Sequence, residues 1–139
     1  MKAFIRNLFA LFVGLLAGSA INMLIVTVGP AVIPPPAGVD VNDIDSIRQF
    51  MHRYQPIHFL APFLAHAFGT LVGACIAYLI AVSYRQLVAG LIGGLFLLGG
   101  ISVAMMLPAP VWFTALDLLL AYLPMAWLGI RLGQRFRQT

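Results

Sequence analysis

The chain has few charged residues and a single cysteine. Only 9% of its 139 residues are charged, it contains no glutamate, and its four acidic residues are all aspartates. Soluble domains carry about 25% charged residues, so the composition argues against a water-soluble fold. Cys75 cannot form an intramolecular disulfide, and because it lies within an apolar run we interpret it as a small packing residue.

Sequence motifs of enzymes and metal sites are also missing. The chain has no Cys-x-x-Cys, His-Glu-x-x-His, Walker-type or Gly-x-Ser-x-Gly pattern. On one helix His58 and His66 would lie two turns apart, ~12 Å along the axis, which is too far for one metal ion. Haem ligation would need a second histidine at the depth of His66, which only a second copy of the chain could supply. We therefore expect no metal and no cofactor, and we favour a non-enzymatic function.

Long apolar runs dominate the sequence instead. Hydrophobic residues make up 62% of the chain, and its mean hydropathy is +1.00. The runs predict an all-α integral membrane protein, a single domain over residues 1–139 with four transmembrane helices in a compact bundle. The first run begins like a secretory signal, but at about 21 residues it is long enough to span a bilayer. The predicted spans are residues 8–28, 57–82, 86–107 and 111–130.

A long connection separates the first two spans. We expect Gly29-Pro30 to end the first helix, and the proline run at 34–36 to form a stiff spacer or lid. Apolar residues at helical spacing, with aspartates before them and basic residues after them, predict a short amphipathic helix over 42–54. It would lie on the membrane surface or over the mouth of the bundle. The aspartates lack the later Gly and Glu of an EF-hand loop, so we interpret them as helix caps rather than calcium ligands.

Small residues recur every four positions along the first three spans. At 3.6 residues per turn this spacing gives each of these helices a smooth face, which is typical of close packing between membrane helices. The face of the second span is predicted to be the central contact surface of the bundle. The residues predicted to pack between helices are Gly14, Gly18, Ala65, Gly69, Gly73, Gly90 and Gly94.

The basic residues predict the orientation of the bundle. Six of the eight would lie at one end, where they flank apolar runs instead of forming a face. The positive-inside rule then places both termini in the cytoplasm and the long connection outside, as in a multi-pass protein of the bacterial inner membrane. We expect the lipid bilayer, and not nucleic acid, to be the partner of these charges. They are Lys2, Arg6, Arg85, Arg131, Arg135 and Arg137.

Each predicted span brings a polar side chain into the outer half of the membrane. Asn22 and Asp117 would lie ~9 Å and His66 ~13 Å below the outer surface. A lone aspartate in hydrocarbon costs ~2.5–3.5 kcal/mol on insertion scales, so Asp117 should face the bundle interior and find a partner. We predict that Asp117 and His66 approach each other, with Asn22 and Ser102 as further partners. The candidate substrate or ion site comprises Asp117, His66, Asn22, Ser102 and Thr114.

Two classes of function remain open. In the first, the chain is a small transporter or channel that binds a solute, cation or proton at Asp117 and His66, with the proline-rich connection as its lid. In the second, it is an accessory or assembly subunit of a larger membrane complex, and the polar cluster only fastens helices, at ~0.6 kcal/mol per hydrogen bond. A homo-oligomer is compatible with either. A membrane enzyme acting on a lipid or quinone is a third, less favoured interpretation.

Overall fold

A computed structural model describes residues 1–138, and over that range the chain contains helices and no strand. Four segments are long and apolar enough to cross a membrane: Lys2–Val32, Pro56–Ile80, Arg85–Met106 and Val111–Gln138. The all-α class and the four helical segments of spanning length are thereby confirmed. The helices are α1 (Lys2–Val32), α2 (Ile44–Phe50), α3 (Leu60–Ile80), α4 (Arg85–Met106), α5 (Val111–Leu120) and α6 (Leu123–Gln138), and 3-10 turns at Met51–Arg53 and Pro56–Phe59 precede α3.

The bundle has two chemically different ends. At one end, here called the loop end, the connection 33–59 packs over the helices through a cluster of Met51, Phe59 and Phe113. At the other, the terminal end, the Asn7 side chain of α1 donates to the Ser83 carbonyl and hydroxyl oxygens, both at 2.9 Å, and accepts from the Val82 amide at 3.1 Å. The terminal end thus joins the beginning of α1 to the turn between α3 and α4.

Helices α1 and α3 are antiparallel, and their backbones meet through glycines. A Cβ added at Gly14 would lie 2.8 Å from the Gly73 carbonyl oxygen, and one added at Gly18 would lie 2.6 Å from that of Gly69. Ala65, on the same face of α3, is fully buried. This close approach needs the small side chains of the predicted face, because any larger one would push the two backbones apart.

A second glycine pair joins α6 to the other side of α3. A Cβ added at Gly129 would meet the Leu71 carbonyl oxygen, and one added at Gly133 would lie 2.8 Å from the Tyr78 ring. By contrast, a Cβ added at Gly90 or Gly94 would meet no atom within 4 Å. The packing role predicted for those two glycines of α4 is therefore not realised within the described chain, since both face away from the other helices.

Prolines explain two differences from the predicted helix ends. Helix α1 continues through Pro30 to Val32, and it stops where Pro34 restricts Ile33 to an extended conformation (φ −123°, ψ 92°). The fourth span, predicted as one helix, is two, because Pro124 has no amide to donate to the Leu120 carbonyl and its ring crowds that oxygen. The break falls at Ala121 and Tyr122.

The helix predicted over 42–54 is shorter than expected. Helix α2 ends at Phe50 and a 3-10 turn follows. Asp43 caps α2 by accepting a hydrogen bond from the Asp45 amide at 3.0 Å, which agrees with the capping interpretation of the aspartates. The Arg48 Nε donates to the Met106 carbonyl oxygen at 3.1 Å, so α2 is fastened to the end of α4.

Candidate functional site

The site centres on a contact between His66 of α3 and Asp117 of α5. The His66 Nδ1 lies 2.9 Å from Asp117 Oδ1 and 3.0 Å from Oδ2. The Tyr122 hydroxyl donates to the same Oδ2 at 3.1 Å. Because a carboxylate only accepts hydrogen bonds, Nδ1 carries the ring proton that it shares with Asp117. The structure thus brings together the two ionisable residues that the depth argument paired.

The break between α5 and α6 positions the third member of this group. Tyr122 is only 2% exposed, and its ring stacks on that of His66 with centroids 5.6 Å apart and an interplanar angle of 27°. Thr70, fully buried one turn after His66, donates its hydroxyl to the His66 carbonyl at 2.7 Å. The imidazole is therefore held by a carboxylate at one edge and by a phenol ring against its face.

The opposite edge of the His66 ring remains available. Its Nε2 has no hydrogen-bond partner among residues 1–138, and 23% of the side chain is exposed, against 7% for Asp117. A neutral imidazole with its proton on Nδ1 presents a lone pair at Nε2. A carboxylate on Nδ1 fixes the tautomer and orients the ring. His66 can thus accept a hydrogen bond or a proton from a bound molecule.

An apolar cavity of about 250 Å³, here called the loop-end cavity, lies above this ring. Its floor is His66, Asp117 and Thr114, and its roof includes Ile47 of α2 and Tyr54 of the connection. Burial raises the pKa of the Tyr54 phenol, so its hydroxyl stays protonated and neutral. Aliphatic and aromatic side chains form most of the remaining wall, which makes the floor the most polar part of the cavity.

A second cavity of about 210 Å³ lies on the other side of His66, between α1 and α4. We call it the side crevice. Its residues from α1 are Ser19 and Asn22, and Tyr122 also contributes to it. The residues common to both cavities are His66, Gly100 and Val103. His66 therefore stands at the boundary between the two.

The other predicted site residues are placed differently. Thr114 lines the loop-end cavity, and Asn22 lines the side crevice without a side-chain hydrogen bond to any of residues 1–138. Ser102 does not join the site: it is exposed, and its hydroxyl donates to the Leu98 carbonyl at 2.9 Å. At 100° per residue Ser102 lies ~200° around α4 from Gly100, and so on the opposite face of that helix.

Tyr122 and Thr70 were not among the predicted site residues. Along an uninterrupted helix, a residue five positions after Asp117 would point ~140° away from it. The prediction of a single helix therefore gave no reason to include Tyr122 in the site. Pro124 was the available signal, because it marks a break that lets Tyr122 turn back onto the carboxylate. Thr70, one turn after His66, shares its face by simple helical spacing.

The described part of the chain contains no group of three or more histidine, cysteine, aspartate or glutamate side chains that could hold a metal ion. His58 lines the loop-end cavity, but its Nδ1 accepts a hydrogen bond from the Gln55 amide at 2.8 Å. Within residues 1–138 no serine hydroxyl and no thiol makes a hydrogen bond to the His66 ring. A catalytic nucleophile would lie in hydrogen-bond contact with its base. The arrangement can bind a polar group and exchange a proton with it.

No protein-family model, no curated protein and no solved structure matches this chain.

Proposed function

We propose that this chain is a small membrane transporter whose binding site is the loop-end cavity above His66. In this proposal both termini face the cytoplasm of a bacterial inner membrane and the loop end faces outward. The distribution of charge supports that orientation, because the terminal end carries six basic residues and three of the four aspartates belong to the 33–59 connection.

One observation carries the proposal: a largely apolar cavity has His66 and Asp117 in its floor. An acid within a membrane span is costly and is typically functional. A purely structural pair could be buried completely, yet 23% of the His66 side chain is exposed to the cavities beside it. The exposed ring edge supports a role in binding.

The lining restricts the class of solute. A volume of about 250 Å³ lies just below the ~300–1,000 Å³ of typical ligand sites, so the solute is small. Its body is apolar, to match the walls, and it carries a hydroxyl or amine that donates to Nε2 of His66. Anions are disfavoured, because the floor holds a carboxylate and no lysine or arginine lines the cavity. A hydrated metal ion would find too few oxygen ligands there.

The path toward the cytoplasm is closed by the packing of α1 on α3. Below the site, Gly18 meets Gly69 and Gly14 meets Gly73 with backbones in contact. A transport cycle therefore needs a second conformation in which α3 moves relative to α1 or α6. This barrier distinguishes a transporter, which opens alternately, from an open channel.

Trp112 offers a direct binding assay. Its ring contacts those of Phe59 and Phe113, with centroids 5.7 and 5.9 Å apart, and both of these line the loop-end cavity. In a Trp127→Phe background Trp112 is the only tryptophan. We expect its fluorescence to change saturably with 1-octanol and octylamine and not with octanoate. Asp117→Asn should weaken the response about tenfold or more, whereas Asp45→Asn, which changes an exposed residue of α2, should not alter it.

Transport itself is tested with a cation that does not cross lipid unaided. Proteoliposomes are loaded with tritiated benzylguanidinium, which joins an apolar ring to a positive charge that is retained at neutral pH and has N–H groups that can donate to Nε2 of His66. Wild type and Asp45→Asn should release it faster than protein-free vesicles, and Asp117→Asn should not. Absence of both the Trp112 response and any protein-dependent release would overturn the transporter proposal.

A second candidate function is that of a subunit in a larger membrane complex. It is favoured by Gly90 and Gly94, which leave a smooth strip on α4 that no helix among residues 1–138 covers. The strip would accept a helix of a partner protein or of a second copy. Stoichiometric co-purification of one partner, released by Gly94→Leu, would favour this function over transport.

A further inference from the structure

We propose that the solute reaches His66 sideways from the bilayer, through the side crevice between α1 and α4. The inference rests on the proposed function and makes the substrate a membrane-dissolved amphiphile. Its head, a hydroxyl or amine, lies beside His66, and its apolar tail extends between the two helices. The loop-end cavity is then not the entrance.

The crevice exists because the contact between α1 and α4 changes along their length. Toward the terminal end large side chains fill the space: a Cβ at Gly14 would lie 3.1 Å from Ile92, and one at Gly18 would lie 2.7 Å from the Phe96 ring. One turn further along α4 the sequence is Gly99-Gly100, and a Cβ added at Gly99 would meet no atom within 4 Å. The two helices therefore separate at the level of the site.

The outer rim of this gap faces lipid. Ser19 and Gly99 are both exposed and both line the crevice. They lie within segments of spanning length, more than two turns from either end of α1 and about two turns from the end of α4. At that depth a bilayer offers hydrocarbon and not water. A molecule that enters past these two residues therefore comes from the membrane.

The polar groups inside the crevice define the head group. Neither Ser19 nor Asn22 makes a side-chain hydrogen bond to any of residues 1–138, although both lie within a helix of spanning length. Unsatisfied polar groups are costly in hydrocarbon, so a ligand that bonds them is favoured. A serine hydroxyl and an amide both donate and accept, and Nε2 of His66 accepts. A hydroxyl head satisfies all three.

Charge excludes the commonest membrane lipids as ligands. No lysine or arginine lines the crevice, so nothing there would neutralise a phosphate. Asp117, bonded to His66 at 2.9 Å, adds a nearby carboxylate. The fit is to a single-chain amphiphile with a neutral or amine head, and phospholipids should remain in the surrounding bilayer.

The test uses a photoreactive long-chain alcohol, a hexadecanol that carries a diazirine near its hydroxyl. Wild-type protein in liposomes is illuminated with the probe, and the labelled peptides are identified by mass spectrometry. We expect labelling of the segments around Asn22 and His66. Gly99→Leu, whose side chain would occupy the crevice, should reduce that labelling by about tenfold or more.

Gly94→Leu is the matched control. Both glycines belong to α4 and both have open space beside them, but only Gly99 lines the crevice. Gly94→Leu should label like wild type. Equal labelling in Gly99→Leu and wild type would overturn the lateral route. If labelling fails while 1-octanol still changes Trp112 fluorescence, the route is wrong and the binding function stands; if both fail, the proposed function falls as well.

Discussion

The terminal half and the loop half of this bundle differ in how closely their helices pack. In the terminal half Ala10, Ala74, Ala77 and Ala89 are fully buried, and helix backbones touch through glycines. In the loop half the buried residues include Phe59, Phe113 and Tyr122, and two cavities remain. Small residues bring α1 and α3 together in the terminal half, whereas Gly99 of α4 leaves the side crevice open in the loop half. One half therefore sets the scaffold and the other leaves room for a ligand.

The largest expected effect is in the scaffold half. Gly73→Leu would put a side chain where even an added Cβ would lie only 2.8 Å from the Gly14 carbonyl oxygen. Since backbone cannot move aside cheaply, we expect a loss of about 3 kcal/mol or more in the free energy of unfolding, at the upper end of overpacking costs. Denaturation in mixed micelles followed by circular dichroism measures it. Gly90→Leu, which faces open space, is the control, and equal losses in the two variants would contradict the packing described here.

A smaller loss of stability is expected from Asn7→Ala. The Asn7 amide makes three hydrogen bonds of 3.1 Å or less to Val82 and Ser83 at the terminal end. Removing them should cost about 1–2 kcal/mol, given ~1 kcal/mol for a typical bond and partial replacement by water. The same micelle denaturation applies. The response of Trp112 to 1-octanol should stay at its wild-type midpoint, because the change is confined to the scaffold half; a shifted midpoint would mean that the halves are coupled.

Tyr122→Phe should weaken ligand binding more than it lowers stability, which is the reverse of the effect expected for Asn7→Ala. It removes the hydroxyl that donates to Asp117 at 3.1 Å and keeps the ring that stacks on His66. We expect 1-octanol affinity to fall about five- to tenfold, equivalent to ~1–1.4 kcal/mol, because the carboxylate that orients His66 loses one of its partners. Stability should change less than in Asn7→Ala. If affinity is unchanged, the phenol has no part in the site.

The smallest effect is expected for Ser102→Ala. The hydroxyl is exposed and bonds only its own helix, at the Leu98 carbonyl. Both the unfolding free energy and the 1-octanol midpoint should remain within about 0.5 kcal/mol of wild type, as for most surface changes. Thr114→Ala is the informative companion, since Thr114 lines the loop-end cavity. A marked change in either quantity in Ser102→Ala would show that Ser102 belongs to the site, contrary to its position on α4.

The sequence predicted the number and depth of the helices better than it predicted which way each helix is rotated. Hydropathy and length were enough for the four spanning segments, and counting residues from their ends was enough to pair Asp117 with His66. Depth says nothing about rotation, so Ser102 was placed at the right level and on the wrong face of α4. The same limit applies to Gly90 and Gly94, whose spacing could not reveal which side of α4 meets other helices.

The proline positions show a different limit. A proline within a helix removes one amide donor and crowds the carbonyl four residues earlier, and its position in the sequence does not tell whether the helix continues, bends or breaks there. Pro30 stays within α1, while Pro124 separates α5 from α6. Tyr122 reaches Asp117 only because of that break, so the third member of the site could not be deduced without the correct helix ends.

The four-residue repeat between α1 and α3 also has a mechanical consequence. If α3 slid along α1 by one turn, ~5.4 Å, a small residue would again lie opposite a small residue. The interface therefore has equivalent packed positions spaced one helical turn apart. Rotation of α3, by contrast, would drive larger side chains into the α1 backbone. The hydrogen bonds of Asn7 to the turn that follows α3 would stabilise one of these positions over the others. His66, carried on α3, would travel with each step.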